Sequence, residues 1–242
     1  MGESRQNPEQ LLKSLQTDEE NRNKGHLKIF FGYAAGVGKT YAMLEAAHMA
    51  KQQGIDVVAG YVEPHACPKT AALLNGLEVL PTREVFYNGM ILDEFDIGMA
   101  LKRKPQLILV DELAHTNAEG CRHAKRYQDI KELLNAGIDV YTTVNVQHIE
   151  SLCDTVASIT EIVVRERIPD SIFDNADQVE LIDIEPQDLI NRLNTGNVYR
   201  QTQAKQAVEN FFTIENLTAL REISLRRCAD RVNILTENTR IK

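Results

Sequence analysis

A chain of 242 residues with 43% hydrophobic residues is long enough for one large domain with a full core. Its formal net charge of −8 and pI near 5.3 argue against nucleic acid as a partner, because a sequence-independent grip on phosphate backbone needs a basic surface. No signal-like leader opens the chain and no apolar run approaches the ~18 residues of a membrane span, so the expectation is a cytoplasmic domain with no membrane contact of its own.

In chain order, residues 1–24 are rich in Gln, Asn, Glu and Arg around a short LLKSL patch and read as a disordered leader. From Leu27, LKIFF is an apolar strand ending in glycine, and KTYAMLEAAHMAKQQ over Lys39–Gln53 carries apolar residues at helical spacing until Gly54 stops it. The alternation repeats: IDVVAGYV as strand, EFDIGMALKRK as helix, LILVDE as strand, YQDIKELLNAG as helix and IDVYTTVN as strand. Strands rich in Val, Ile and Leu between helices predict an α/β class protein, a doubly wound, mostly parallel sheet with helices on both faces. Further along, EIVVRE and QVELIDIE read as strands, and Pro186 opens the helix PQDLINRLNTG. Helices are expected from about Gln203 to Phe212 and from about Glu215 to Asn233. The domain reading is therefore a leader at 1–24, a main domain at 25–200 and a helical extension or linker at 201–242. In the last helix Leu217, Leu220, Ile223 or Ser224, and Leu225 make an apolar stripe, with Arg221, Arg226, Arg227 and Arg231 elsewhere. That stripe packs on its own domain or pairs in a homodimer. Cys67, Cys121, Cys153 and Cys228 stand far apart without a C-x-x-C pair and read as reduced thiols.

The stretch Gly32-Tyr33-Ala34-Ala35-Gly36-Val37-Gly38-Lys39-Thr40 ends as a Walker A P-loop but begins imperfectly. The pattern G-x-x-x-x-G-K-[ST] asks for glycine where Tyr33 stands, and Gly32 lies one residue early. Gly36 and Gly38 supply the backbone freedom that a phosphate cradle needs, Ala35 and Val37 complete its amides, Lys39 reaches the β and γ phosphates of ATP, and Thr40 ligates Mg²⁺. The dinucleotide fingerprint fails, since Tyr41 stands where its third glycine belongs. LILVDE is placed as a Walker B strand neighbouring the P-loop strand, with Asp111 holding the magnesium shell through water and Glu112 the candidate to orient or deprotonate water. Glu63 is a weaker acid, either facing the same crevice or a solvated loop residue. Asn145 either senses a γ-phosphate or caps a turn. The cluster Arg122, His123, Lys125 and Arg126 contacts phosphate or a partner, or is a solvated helix start; His115, His123 and His148 read as satisfied polar residues.

GYAAGVGKTYAMLEAA, the long block LILVDELAHTNAEGCRHAKRYQDIKELLNAGIDVYTTVNVQHIESL and IPDSIFDNADQVELIDI together resemble the N-terminal cytoplasmic domain of the Kdp osmosensitive potassium-channel sensor histidine kinases. The resemblance runs from about Leu27 to Asn233. It implies an ATP-binding regulatory input domain of a two-component system, acting on kinase modules of the same or a partner chain in potassium transport and osmotic response. The family's THGR-like segment is replaced here by PHACPK, which keeps His65 and loses the Gly-Arg pair. The alternative is an active P-loop NTPase or small-molecule kinase; with no phosphorylatable-histidine core in the chain, at most a slow ATPase is expected of the regulatory reading.

Overall fold

The computed structural model describes residues 24–63, 68–87, 89–194 and 211–240. The leader up to residue 23, the segment from Pro64 to Cys67 and all of the expected helix at Gln203–Phe212 before Phe211 fall outside them.

Strand β1, Leu27–Gly32, shows how the sequence makes a two-sided sheet. Phe30 points to one face and Ile29 and Phe31 to the other, and all three are fully buried. Helix α1 (Lys39–Gln52) follows, then β2 (Val57–Tyr61), a short α2 (Pro68–Ala72) and β3 (Glu78–Val79). Next come β4 (Arg83–Tyr87), β5 (Met90–Glu94), α3 (Ile97–Arg103), β6 (Leu107–Val110), α4 (Arg126–Asn135) and β7 (Asp139–Asn145). After two 3₁₀ turns the chain forms α5 (Cys153–Thr160), α6 (Asp170–Asp174), β8 (Gln178–Leu181), α7 (Pro186–Asn194) and the long α8 (Ile214–Arg240).

The main sheet has six strands in the order β3-β2-β6-β7-β1-β8, and every pairing within it is parallel. The core divides accordingly. Phe30, Ala59, Leu107 and Leu109 meet Met43, Leu44 and Ala47 of α1 on one face. Ile29, Phe31, Val58, Ile108 and Val110 meet Ile97, Ile130, Leu133, Phe173 and Leu217 on the other. The expected α/β class with helices on both faces is what the chain forms.

Four expectations need correction. The strands of Phe31 and Asp111 are not neighbours: β7 lies between them, its Leu27↔Val140 to Gly32↔Asn145 register seating it against β1. EIVVRE is no strand; Glu161 turns left-handed (φ 58°) to end α5, Val163 is exposed, and β8 already occupies the free side of β1. Between β3 and α3 the chain forms an unexpected antiparallel hairpin, β4 with β5, outside the main sheet. In α8 the buried stripe is Leu217, Leu220, Ser224, Arg227 and Arg231, while Leu225 is exposed. Two arginines sit inside because acceptors wait there. Arg227 pairs with Asp174 at 2.6 Å over the ring of Phe173, and Arg231 donates to the carbonyls of Phe173 and Ala176. Arg221 is also engaged, bonding Asp183 and Glu185.

Candidate functional site

Why Tyr33 replaces the first motif glycine is visible in the packing. A Cβ on Gly32 would lie 2.7 Å from Cγ2 of Val37 and 3.2 Å from Cδ of Lys39, so the close approach falls one residue early, at Gly32 itself. Tyr33 is then free to be a core strut; it is fully buried and its hydroxyl donates to the Ile184 carbonyl at 3.1 Å. Gly36 and Gly38 take φ of 87° and 111°, the left-handed region that curls the loop onto the start of α1.

Beyond that loop, at the carboxyl edge of the sheet, opens a cavity of about 670 Å³. Ala35, Gly36, Val37, Gly38, Lys39 and Thr40 all line it, facing Glu112, His115, Asn145, His148 and Glu166. Lys39 is 8% exposed and its ammonium donates to the Ala34 carbonyl at 2.9 Å. Burial lowers its pKa to about 8, against the pull of Asp111 and Glu112.

Asp111 is fully buried behind the cavity wall rather than on it. Its carboxylate accepts from the Thr40 hydroxyl at 3.0 Å, from the Thr143 hydroxyl and from the Glu112 N–H at 3.1 Å. Thr40 thus lines the cavity while Asp111, behind it, fixes its hydroxyl. Glu112 leaves β6 with φ of 59°, a sparsely populated conformation for a side-chain-bearing residue. Its carboxyl is held above the ordinary value by burial, then by Asp111 and Glu63. Glu63 does not line the cavity; it accepts from the Tyr61 hydroxyl at 2.8 Å.

Asn145 makes no side-chain cap bond to the turn it precedes, and its Oδ1 is buried without a partner. The capping alternative is thus not realised, and the amide sits on the cavity wall. The basic cluster is dispersed among internal partners. Arg126 is fully buried, bonding Glu94 at 3.0 Å and the Asp111 carbonyl at 3.3 Å over the Tyr61 ring, so its reading as a solvated or phosphate-contacting residue is corrected. Arg122 pairs with Glu132, His123 with Asp129, and Lys125 with Thr116. Glu94, buried against its own charge, is nevertheless kept below its ordinary pKa by hydrogen bonds from His115 and Ala118 and by the nearby charge of Arg126.

Several cavity residues escaped the sequence reading. Thr143 carried a usable signal, a polar residue inside a central apolar strand. Glu166 was hidden in the mistaken strand; it accepts from the Thr116 N–H at 2.8 Å. Lys69, Ile182 and Arg192 line the cavity without any motif to announce them. Among the described residues no cluster of three or more His, Cys, Asp and Glu is placed to hold a metal ion, and no helix is long and apolar enough to cross a membrane. Cys121, Cys153 and Cys228 are free thiols; Cys67 lies outside the described residues.

A parallel α/β sheet with a large cavity at its carboxyl edge, floored by a glycine loop, a buried lysine and a hydroxyl held by an aspartate, defines the class. More narrowly, the chain belongs to the family of osmosensitive K⁺ channel His kinase sensor domains, which it matches over residues 23–232. It is 60% identical over 237 residues to the sensor protein KdpD of Clostridium acetobutylicum, covering 98% of this chain and 26% of that protein. It is 56% identical over 229 residues to the sensor protein KdpD of Escherichia coli K12, covering 95% and 25%, and 50% identical over 217 residues to a putative sensor protein KdpD of Synechocystis, covering 90% and 58%. The chain spans about a quarter of the length of the first two relatives.

Proposed function

We propose that this domain has a P-loop NTPase-like fold, binds ATP with Mg²⁺ in the cavity, and passes its occupancy to kinase modules of the same or a partner chain. In that reading it is the regulatory input domain of a two-component sensor kinase acting in potassium transport and osmotic response at the cytoplasmic face of a membrane. The observation that carries the reading is the Thr40–Asp111–Thr143 network beneath the left-handed turns at Gly36 and Gly38, on the same sheet edge as Lys39. Loop amides and a helix start favour an anion, Lys39 adds a cation, and Asp111 aims the Thr40 hydroxyl for a hard cation. The residues fit the group: Ala35 to Thr40 would hold the phosphates, and Thr40, with Asp111 behind it through water, would hold the magnesium ion. Bound Mg²⁺ supplies neutralisation of phosphate charge.

Titration calorimetry with ATP and Mg²⁺ tests this. Lys39→Ala removes a charge-assisted contact of roughly 1.5–3 kcal/mol, so affinity falls at least tenfold. Equal affinity for wild type and variant, or no binding by wild type, refutes the reading.

A working NTPase is the second reading, favoured by Glu112, whose raised pKa and place on the cavity wall suit a general base. Glu112→Gln separates the two. A binding module keeps its affinity and loses no meaningful turnover; an enzyme turning over faster than about 1 s⁻¹ loses that rate at unchanged affinity.

A further inference from the structure

The β4–β5 hairpin is seated by one of its faces. Its register sets Glu84 opposite Asp93, Val85 opposite Leu92 and Phe86 opposite Ile91. Alternation turns Arg83 and Val85 toward the domain, where Val85 is buried and Arg83 donates to the Gly120 carbonyl at 3.2 Å. Glu94, on the same face, roots the second strand by bonds with Arg126 at 3.0 Å and His115 at 3.2 Å. His115 lines the cavity, so this root is tied to the cavity wall.

The opposite face is open. Phe86 and Ile91 are 76% and 64% exposed, side by side across the strands, and the exposed carboxylates of Glu84 and Asp93 come next along the same face. Like charges directly opposite each other weaken a strand pair, and the Thr82 hydroxyl on Asp93 brings no positive charge. The edges are open too: among the described residues β4 and β5 pair only with each other. Neither strand holds a proline or a lysine, and their register runs without a bulge, so several of the usual guards of an exposed edge are missing.

Size and charge choose the occupant. Two five-residue strands present a face of roughly 17 by 10 Å, far below the about 800 Å² per partner of a stable protein–protein interface, so a second copy gains too little. Pairing two copies would also set these acids against their own kind on a chain of net charge −8. The same acids repel an anionic bilayer. What fits is one extended segment added as a strand, its backbone bonding an open edge, with apolar side chains beside Phe86 and Ile91 and Lys or Arg beside Glu84 and Asp93.

We propose that the β4–β5 hairpin is a docking edge for an extended segment of a partner protein in which basic and apolar residues alternate.

The test uses the full chain and fluorescein-labelled peptides read by anisotropy: a short peptide alternating Lys with Val and Tyr, its Glu-for-Lys counterpart, and a copy of the first methylated at its backbone nitrogens. The Lys peptide binds at least about tenfold tighter than either of the others. Phe86→Ser weakens it at least about fivefold, and Glu84→Lys combined with Asp93→Lys reverses the preference between the Lys and Glu peptides. These substitutions alter exposed side chains, and an unchanged melt shows that the fold is kept. In wild type, which needs no variant, the Lys peptide slows amide exchange within 83–87 or 90–94. Affinities within twofold of wild type for either variant, equal binding of the methylated peptide, or slowed exchange confined to other segments overturns the assignment. Dimerisation lost in Phe86→Ser gives the face to a second copy, and Phe86-dependent binding to phosphatidylcholine vesicles gives it to a lipid surface; either result overturns it as well.

Discussion

Replacing Lys39 with Met should make the ligand-free domain more stable while disabling its cavity. The side chain is 8% exposed, and its pKa falls from 10.5 to about 8. A fall of that size is worth about 3 kcal/mol, the cost of holding the charged form in the folded rather than the unfolded chain. Because the folded pKa is the lower one, the penalty is complete below about pH 8 and is relieved as pH rises to 10.5, where both states are neutral. Methionine keeps most of the stem and discards the charge. It also strands the Ala34 carbonyl that Lys39 serves at 2.9 Å, a loss of about 1 kcal/mol. The net gain near neutral pH is about 2 kcal/mol, and at roughly 2–4 °C per kcal/mol for a domain of this size it is visible in a melt. Urea unfolding of both proteins should be followed from about pH 7 to 10.5, and the difference between them plotted, so that other titrating groups cancel. The advantage of the variant shrinks as pH rises through this window. A constant difference, or one that grows with pH, would refute the claim that a buried, strained charge is stored at this position.

Arg126→Met leaves Glu94 buried without its guanidinium partner and should cost about 3–5 kcal/mol by urea unfolding, far more than an exposed arginine would; a loss under about 1 kcal/mol would contradict the buried pair. Phe173→Ala empties a fully buried site packed edge-on against Phe31 at 4.8 Å and beneath Arg227, with about 3–5 kcal/mol lost in the same assay. Gly25→Ala sets a methyl 2.0 Å from the Ile138 carbonyl oxygen, which is backbone and cannot swing aside, so the variant should lose at least about 1–3 kcal/mol; an unchanged melt would refute that packing.

What could be read from sequence followed period and punctuation. The strands around Phe30 and Ile108 are apolar on both faces, and the loop at Gly36 to Thr40 declares itself by spacing. The missed hairpin had its own signal, Asn88-Gly89 between REVFY and MILDE, the strongest short-range mark of two antiparallel strands. It was obscured because Glu94 and Phe95 also begin a plausible helix. EIVVRE misled because strand propensity cannot tell whether a sheet edge is free. Arg227 and Arg231 were assigned to the outside on charge alone; their acceptors, Asp174 and the carbonyls of Phe173 and Ala176, lie more than fifty residues away in sequence. Arg192 and Glu166 enter the cavity through tertiary placement that no local pattern records.

The long helix α8 leaves its seat on the domain part-way along its length. From Leu217 to Arg231 one side is seated on the domain; from Val232 to Thr236 every side chain is exposed. At ~1.5 Å per residue the 27 residues make a rod about 40 Å long, clamped along its first two-thirds. The clamp is built of ion pairs and arginine-to-carbonyl bonds, which fit at one register and fail at the next. Such a rod cannot creep along its seat. As a rigid lever pivoting mid-seat at Ser224, it would carry its far end, about 24 Å away, through roughly 2 Å for a tilt of about 5°, a displacement on the scale of known helix shifts at interfaces.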